Sequence, residues 1–106
     1  MYLLLLNTSP MNIELKKFGT LLTSRQSGRE AYSAFTPTLS EQKETEEIVV
    51  DFTGVTTFSP SWGDEFLRPL HERYDKRLFL RSTENPSVKL SLEILEETNS
   101  LSFQKR

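Results

Sequence analysis

Residues Ile48 to Leu70, IVVDFTGVTTFSPSWGDEFLRPL, carry the pattern that decides the fold. Ile48-Val49-Val50-Asp51-Phe52 is β-branched, too short for a helix and apolar without alternation. That is the pattern of a strand covered on both faces, which implies a parallel sheet with helices on either side. Gly54 marks the turn that follows. A serine-rich elbow with Ser59 and Ser61 then leads into a helix predicted from about Ser61 to Tyr74. Trp62, Phe66, Leu67, Leu70 and Tyr74 share one side of it, and Asp64, Glu65, Arg68, His71 and Glu72 fall elsewhere. Pro69 lacks the N–H that would bond back to Glu65, so the spacing predicts a kink there. Backbone N–H groups converge where this helix begins, a place that favours anions.

Upstream, Tyr2 to Leu6 reads as a strand and Asn7-Thr8-Ser9-Pro10 as a turn. Asn12 to Lys17, with Ile13 and Leu15 alternating against polar neighbours, reads as a second strand, so the two predict an N-terminal hairpin closed by Gly19. From Ser24 to about Lys43 the period turns helical, with Ala31, Phe35 and Leu39 at i, i+4 and i+8 and Tyr32 beside them. Gly28 and Pro37 weaken that helix. An interior proline costs about 3 kcal/mol, which predicts a kink or a break near Thr36. Glu41 to Glu47 reads as an exposed acidic turn.

Downstream, Leu78-Phe79-Leu80 is a buried strand. Asn85-Pro86 supplies an N-cap and a proline at the first helical position, and Val88, Leu92 and Leu95 line a third helix ending near Glu97. Leu101 to Phe103 is a candidate last strand. The order ββαβαβα(β) predicts an α/β fold: a mixed central sheet with an N-terminal β-hairpin and about three helices.

At 106 residues the chain suits a single domain, 1–106, able to bury one core. With no cysteine, disulfides, thiol catalysis and cysteine metal sites are excluded. The net charge of −2 argues against a nucleic-acid or anionic-membrane partner, because such binders are normally basic. The apolar run Tyr2 to Leu6 is too short for a signal peptide or a membrane span, so a cytoplasmic protein is the expectation.

The strand IVVDFTGV, the elbow FSPSWG and the later NPSVK helix start together resemble the STAS domain of sulfate transporters and anti-sigma-factor antagonists. In the antagonists a similar strand runs into an Asp-Ser-Ser-Gly elbow whose first serine a partner kinase phosphorylates. Aligned on the strand and on Gly63, Ser61 takes the phosphoserine position, Pro60 that of the preceding aspartate and Trp62 that of the second serine. A closer resemblance is to a STAS-like family of unknown function with a Ser-Phe-x-Asp-Glu-like elbow. Here that elbow reads SWGDEF, and Ser61, Trp62, Asp64 and Glu65 match. Gly19 and Arg25 fit an early Gly-x-x-x-x-x-Arg feature, and the resemblance covers residues 12–97. It implies a signalling module of bacterial type whose partner is an anti-sigma-type serine kinase or regulatory ATPase.

The candidate recognition surface is therefore Ser59, Ser61, Trp62, Gly63, Asp64 and Glu65. Ser61 has two readings: a helix cap, with Ser61-x-x-Asp64 as a capping box, or a phosphorylation site. Ser59, with Pro60 behind it, is a competing cap. A phosphate at Ser61 would meet Asp64 and Glu65 within the next turn, where the antagonists have small apolar residues. Asp64 and Glu65 diverge by about 100° on a helix and so do not form a catalytic pair. One is expected to cap the helix and the other to pair with a basic group, for which Arg25 and Arg29, at the start of the first helix, are the candidate partners. Trp62 is either a core anchor or an exposed contact. His71 is about 15 Å along the helix from Ser61, too far to be its base, and reads as a solvated side chain. The basic Arg68–Arg81 and acidic Glu93–Glu97 stretches read as solvated faces. No catalytic set, metal site or cofactor motif is present. The alternatives to a protein partner are a small anion or nucleotide at the same helix start, and a homodimer through the N-terminal edge strand.

Overall fold

A computed structural model describes residues 10–41 and 46–106. The predicted strand at residues 2–6, most of the turn after it, and the centre of the predicted acidic turn lie outside the described residues, so the hairpin does too. Six strands and three helices follow: β1 (Met11–Glu14), β2 (Leu21–Leu22), α1 (Arg25–Ser40), β3 (Ile48–Asp51), β4 (Thr57–Phe58), α2 (Pro60–Tyr74), β5 (Leu78–Leu80), α3 (Pro86–Asn99) and β6 (Gln104–Lys105). The chain is an α/β fold. Its main sheet has the order β1-β3-β5-β6, and β2 pairs with β4 in a second, two-stranded sheet. All four pairings among the described residues are parallel, with Ile13 beside Val50 and Val50 beside Leu80.

β3 sits in the middle, and Ile48, Val49 and Val50 are all buried. Ile13, Ile48, Val50, Leu78 and Leu80 join the helices in one core. Val49 and Phe79 alternate with them and face the other way, and there Arg106 stacks on the Phe79 ring at 3.9 Å. The strands step across the sheet in a single direction, so right-handed crossovers set all three helices on one face rather than on both. α1 packs on α2 and α2 on α3.

Several predicted boundaries move. The second strand was expected to reach Lys17, but it stops at Glu14 and the chain tightens into a 3₁₀ turn over Leu15–Phe18. Gly19 then takes φ = 129°, a conformation open to glycine and rarely to other residues. α1 does not break near Thr36; it continues through Pro37 to Ser40. Pro37 lies one turn from the helix end, and Ser33, whose carbonyl it cannot bond, is exposed, so water can take that bond. Thr36 Oγ1 donates to the Tyr32 carbonyl at 2.8 Å and holds the same turn. α2 is likewise one helix through Pro69, and its predicted apolar side chains are all buried. α3 starts where predicted, with Asn85 Oδ1 accepting from the N–H groups of Ser87 and Val88. It runs two residues past Glu97, and the last strand forms at Gln104–Lys105, leaving Phe103 as a core side chain.

Candidate functional site

The elbow is held from two sides. Ser59 N–H donates to the Leu22 carbonyl at 2.9 Å, extending the β2–β4 pairing. On the other side, Ser87 Oγ and Ser91 Oγ both donate to the Phe58 carbonyl, at 3.1 and 2.6 Å. Asn85 Nδ2 donates to the Val55 and Thr56 carbonyls. The start of α3 thus clamps the loop that delivers the chain into α2.

Ser59, not Ser61, caps α2. Its backbone is extended (φ −109°, ψ 155°), its Oγ accepts from Trp62 N–H at 3.2 Å, and its hydroxyl donates to the Thr23 carbonyl at 2.6 Å. Pro60 follows at the first helical position, where a missing N–H costs nothing. The predicted box of Ser61 with Asp64 does not form. These contacts also consume the anion-binding potential of the helix start. Of its first four backbone positions, Ser59 and Trp62 have their N–H groups bonded and Pro60 has none. Ser61 N–H is the open donor among the described residues.

Trp62 and Gly63 are interior. The indole is fully buried, stacked on Phe66 at 4.9 Å, and its Nε1 donates to Ser27 Oγ at 3.3 Å. It serves as a core anchor and is closed to a docking partner. At Gly63 a Cβ would stand 2.6 Å from Leu95 Cδ1 and 2.9 Å from Phe58 Cζ, so α2 approaches α3 and the elbow closely there. Neither residue belongs to a recognition surface.

The acids pair with Arg25 and Arg29, the candidate partners, but neither caps the helix, and both meet at Arg25 in spite of their 100° separation. Arg25 Nη1 lies 2.8 Å from Asp64 Oδ2 and 2.7 Å from Glu65 Oε2. Its long side chain reaches across from α1 and gathers two diverging carboxylates. Arg29 Nε is 3.4 Å from Glu65, and Arg68 Nε is 2.9 Å from Asp64 one turn along α2. The Arg25 hydrogen bonds hold both carboxyls below their ordinary range, opposed by desolvation and aided by Arg68 at Asp64 and by Arg29 at Glu65. The same bonds raise Arg25. Arg25 holds both carboxylates ionised and lowers their affinity for a proton, which makes each a weak general base.

Ser61 opens onto a shallow cleft of about 230 Å³ between α2 and α3, bordered by Arg25, Asp64, Arg68, Ile94 and Asn99. Its hydroxyl makes no hydrogen bond among the described residues. Ile94 is 40% exposed, and Leu90, one turn before it, is 59% exposed. The α3 wall, Ile94 to Asn99, was missed from the sequence. Its signal was present: Ile94 is apolar yet falls off the Val88–Leu92–Leu95 stripe. His71 is half-buried rather than solvated, with its ring edge-on to Phe103 at 5.6 Å. No three His, Asp or Glu side chains gather as metal ligands, and no helix is long and apolar enough to cross a membrane, among the described residues. Comparisons with family models, with curated proteins and with solved structures find no match for this chain.

Proposed function

We propose that the chain is a non-enzymatic, STAS-like interaction module that recognises a protein partner at the Ser61 cleft, and that Ser61 is its phosphorylation site. The observation that carries this reading is the division of labour between the two elbow serines. Ser59 is committed to the cap and to Thr23, whereas Ser61 presents a hydroxyl with no structural partner among the described residues at the rim of a cleft. Arg25 and Arg68 border it and could receive a phosphate, which carries about −1.5 to −2 charge at pH 7. To do so they would have to loosen their hold on Asp64 and Glu65. Modification at Ser61 would thereby act on the ion pairs that join α1 to α2. Ile94 supplies exposed apolar contact area in the cleft, and Leu90, one turn before it on α3, extends that area outside the cleft. The surface is thus Arg25, Ser61, Asp64, Arg68, Leu90 and Ile94. The partner suited to it is an anti-sigma-type serine kinase or regulatory ATPase.

A nucleotide or small anion at the same helix start has less support, because a single backbone donor remains there. The test is intact mass and peptide mapping of the chain from its native host, followed by binding of the cognate kinase to Ser61→Ala, Ser61→Asp and Ile94→Asp. A phosphate on Ser61, with binding altered in all three variants, supports the proposal. An unmodified serine with unaltered binding refutes it.

A further inference from the structure

A larger hollow, of about 460 Å³, lies past the carboxyl ends of β5 and β6 and shares no residue with the Ser61 cleft. Its volume falls in the range of about 300–1,000 Å³ that small-molecule sites occupy. β5 and β6 are parallel neighbours, so their carboxyl ends open on the same edge of the sheet. Here Arg81, Ser82 and Thr83 leave β5, while Lys105 ends β6. α3 closes the other side with Lys89, Leu92 and Glu93.

The charges around the hollow are unequally committed. Lys105 Nζ is held by Glu96 at 3.3 Å and by the Phe103 carbonyl at 3.1 Å. Among the described residues the Arg81 guanidinium has one hydrogen bond, a long 3.4 Å contact to Asn12 Oδ1. It also lies within electrostatic reach of Asp51, whose carboxylate is chiefly satisfied by Thr53. Lys89 pairs at 3.5 Å with Glu84, a side chain 97% exposed, and such solvated pairs contribute little. Against these two cations stands Glu93, with no ion pair among the described residues. Hydroxyl donors sit at the same rim. Among the described residues the Ser82 hydroxyl donates only in a long 3.4 Å contact to the backbone oxygen of Arg106, which an anion could replace. Thr83 Oγ1 accepts from Asn85 N–H, which leaves its own proton to donate. Leu92, nearly buried, gives an apolar floor.

We infer that this hollow binds a small anion, a phosphate- or carboxylate-bearing molecule, through Arg81 and Lys89, with the hydroxyls of Ser82 and Thr83 as further donors and its apolar part on Leu92. This site is independent of the Ser61 proposal.

The test is a titration of the full ¹⁵N-labelled chain with sodium phosphate, pyrophosphate and citrate at constant ionic strength, followed by amide shifts. Saturable shifts at residues 81–83, 89 and 105 are expected. Preference for pyrophosphate over citrate assigns the phosphate class, and the reverse assigns the carboxylate class. Arg81→Gln and Lys89→Gln should each weaken the preferred anion about tenfold, the share of one charge-assisted hydrogen bond. Glu93→Gln should tighten it, and Lys17→Gln, at a cation outside the hollow, should leave it unchanged. All four side chains are exposed, so the fold is not at risk. Shifts that do not saturate, shifts centred on Ser61, or equal weakening by Lys17→Gln would overturn the inference.

Discussion

Gly28→Ala separates two opposing physical effects with opposite signs. In an isolated helix the change stabilises, because alanine is favoured over glycine by about 0.8–1 kcal/mol per residue. In this fold Gly28 is where α1 meets α2. A Cβ at that position would stand 2.6 Å from the Trp62 carbonyl oxygen, 3.0 Å from its Cα and 3.2 Å from Glu65 Cβ. Two of these three atoms are backbone, so no rotamer change relieves the overlap. Restoring normal contact, at roughly 3.5 Å, requires α1 and α2 to part by about 1 Å. Overpacking of that kind costs about 1–3 kcal/mol, and the backbone obstacle argues for the upper end. After the helix propensity gain, a net loss of about 2 kcal/mol is expected. At about 4–8 °C per kcal/mol for a domain of this size, Tm should fall by roughly 8–16 °C. Gly63→Ala provides the comparison. Its nearest obstacles are the side-chain ends of Leu95 and Phe58. Leu95 can rotate, so the loss should be smaller, about 1 kcal/mol. The assay is urea unfolding followed by circular dichroism, with Tm from a thermal scan. A Gly28→Ala protein more stable than the parent would refute the close approach of α1 to α2, and with it the geometry that brings Arg25 to Asp64.

Ser59→Ala should cost about 1–2 kcal/mol, because it removes both the α2 cap and the hydrogen bond to Thr23. Ser61→Ala should stay within about 0.5 kcal/mol, since no structural bond is lost; equal losses in urea midpoints would contradict the assignment of the cap. Stability should also depend on acid through Asp64 and Glu65. Both carboxyls are depressed in the folded state, mainly by Arg25. Their contribution is therefore present above their ordinary unfolded-state values of about 4 and is lost as pH falls through the depressed folded values. Being partly exposed, each should contribute about 1 kcal/mol or less, and less again at high salt. Asp64→Asn with Glu65→Gln should lower stability at pH 7 and converge with the parent in acid. Parallel curves across that range would show that the pairs carry no pH-dependent stability.

The amino-acid sequence by itself determined the elements whose cause is local. β3 follows from an unbroken β-branched run, the buried side of α2 from its 3.6-residue spacing, and the start of α3 from Asn85-Pro86, where cap and donors lie within three residues. Tertiary structure decided what depends on groups far apart in the chain. The choice between two plausible caps fell to Ser59 because its hydroxyl also reaches Thr23, 36 residues away. Gly28 weakens α1 when read along the chain, yet across to α2 it is the gap that admits the Trp62 backbone. Asp64 and Glu65 diverge on their own helix and are reunited by an arginine from another. Pro37 breaks a helix in principle and is tolerated where its orphaned carbonyl faces water. The exposed reading of Trp62 and the capping reading of Ser61 fell for the same reason. Helix period alone leaves a tryptophan just after a cap ambiguous, and only the packing of α1, α2 and the elbow buried its indole and left the serine hydroxyl at a cleft.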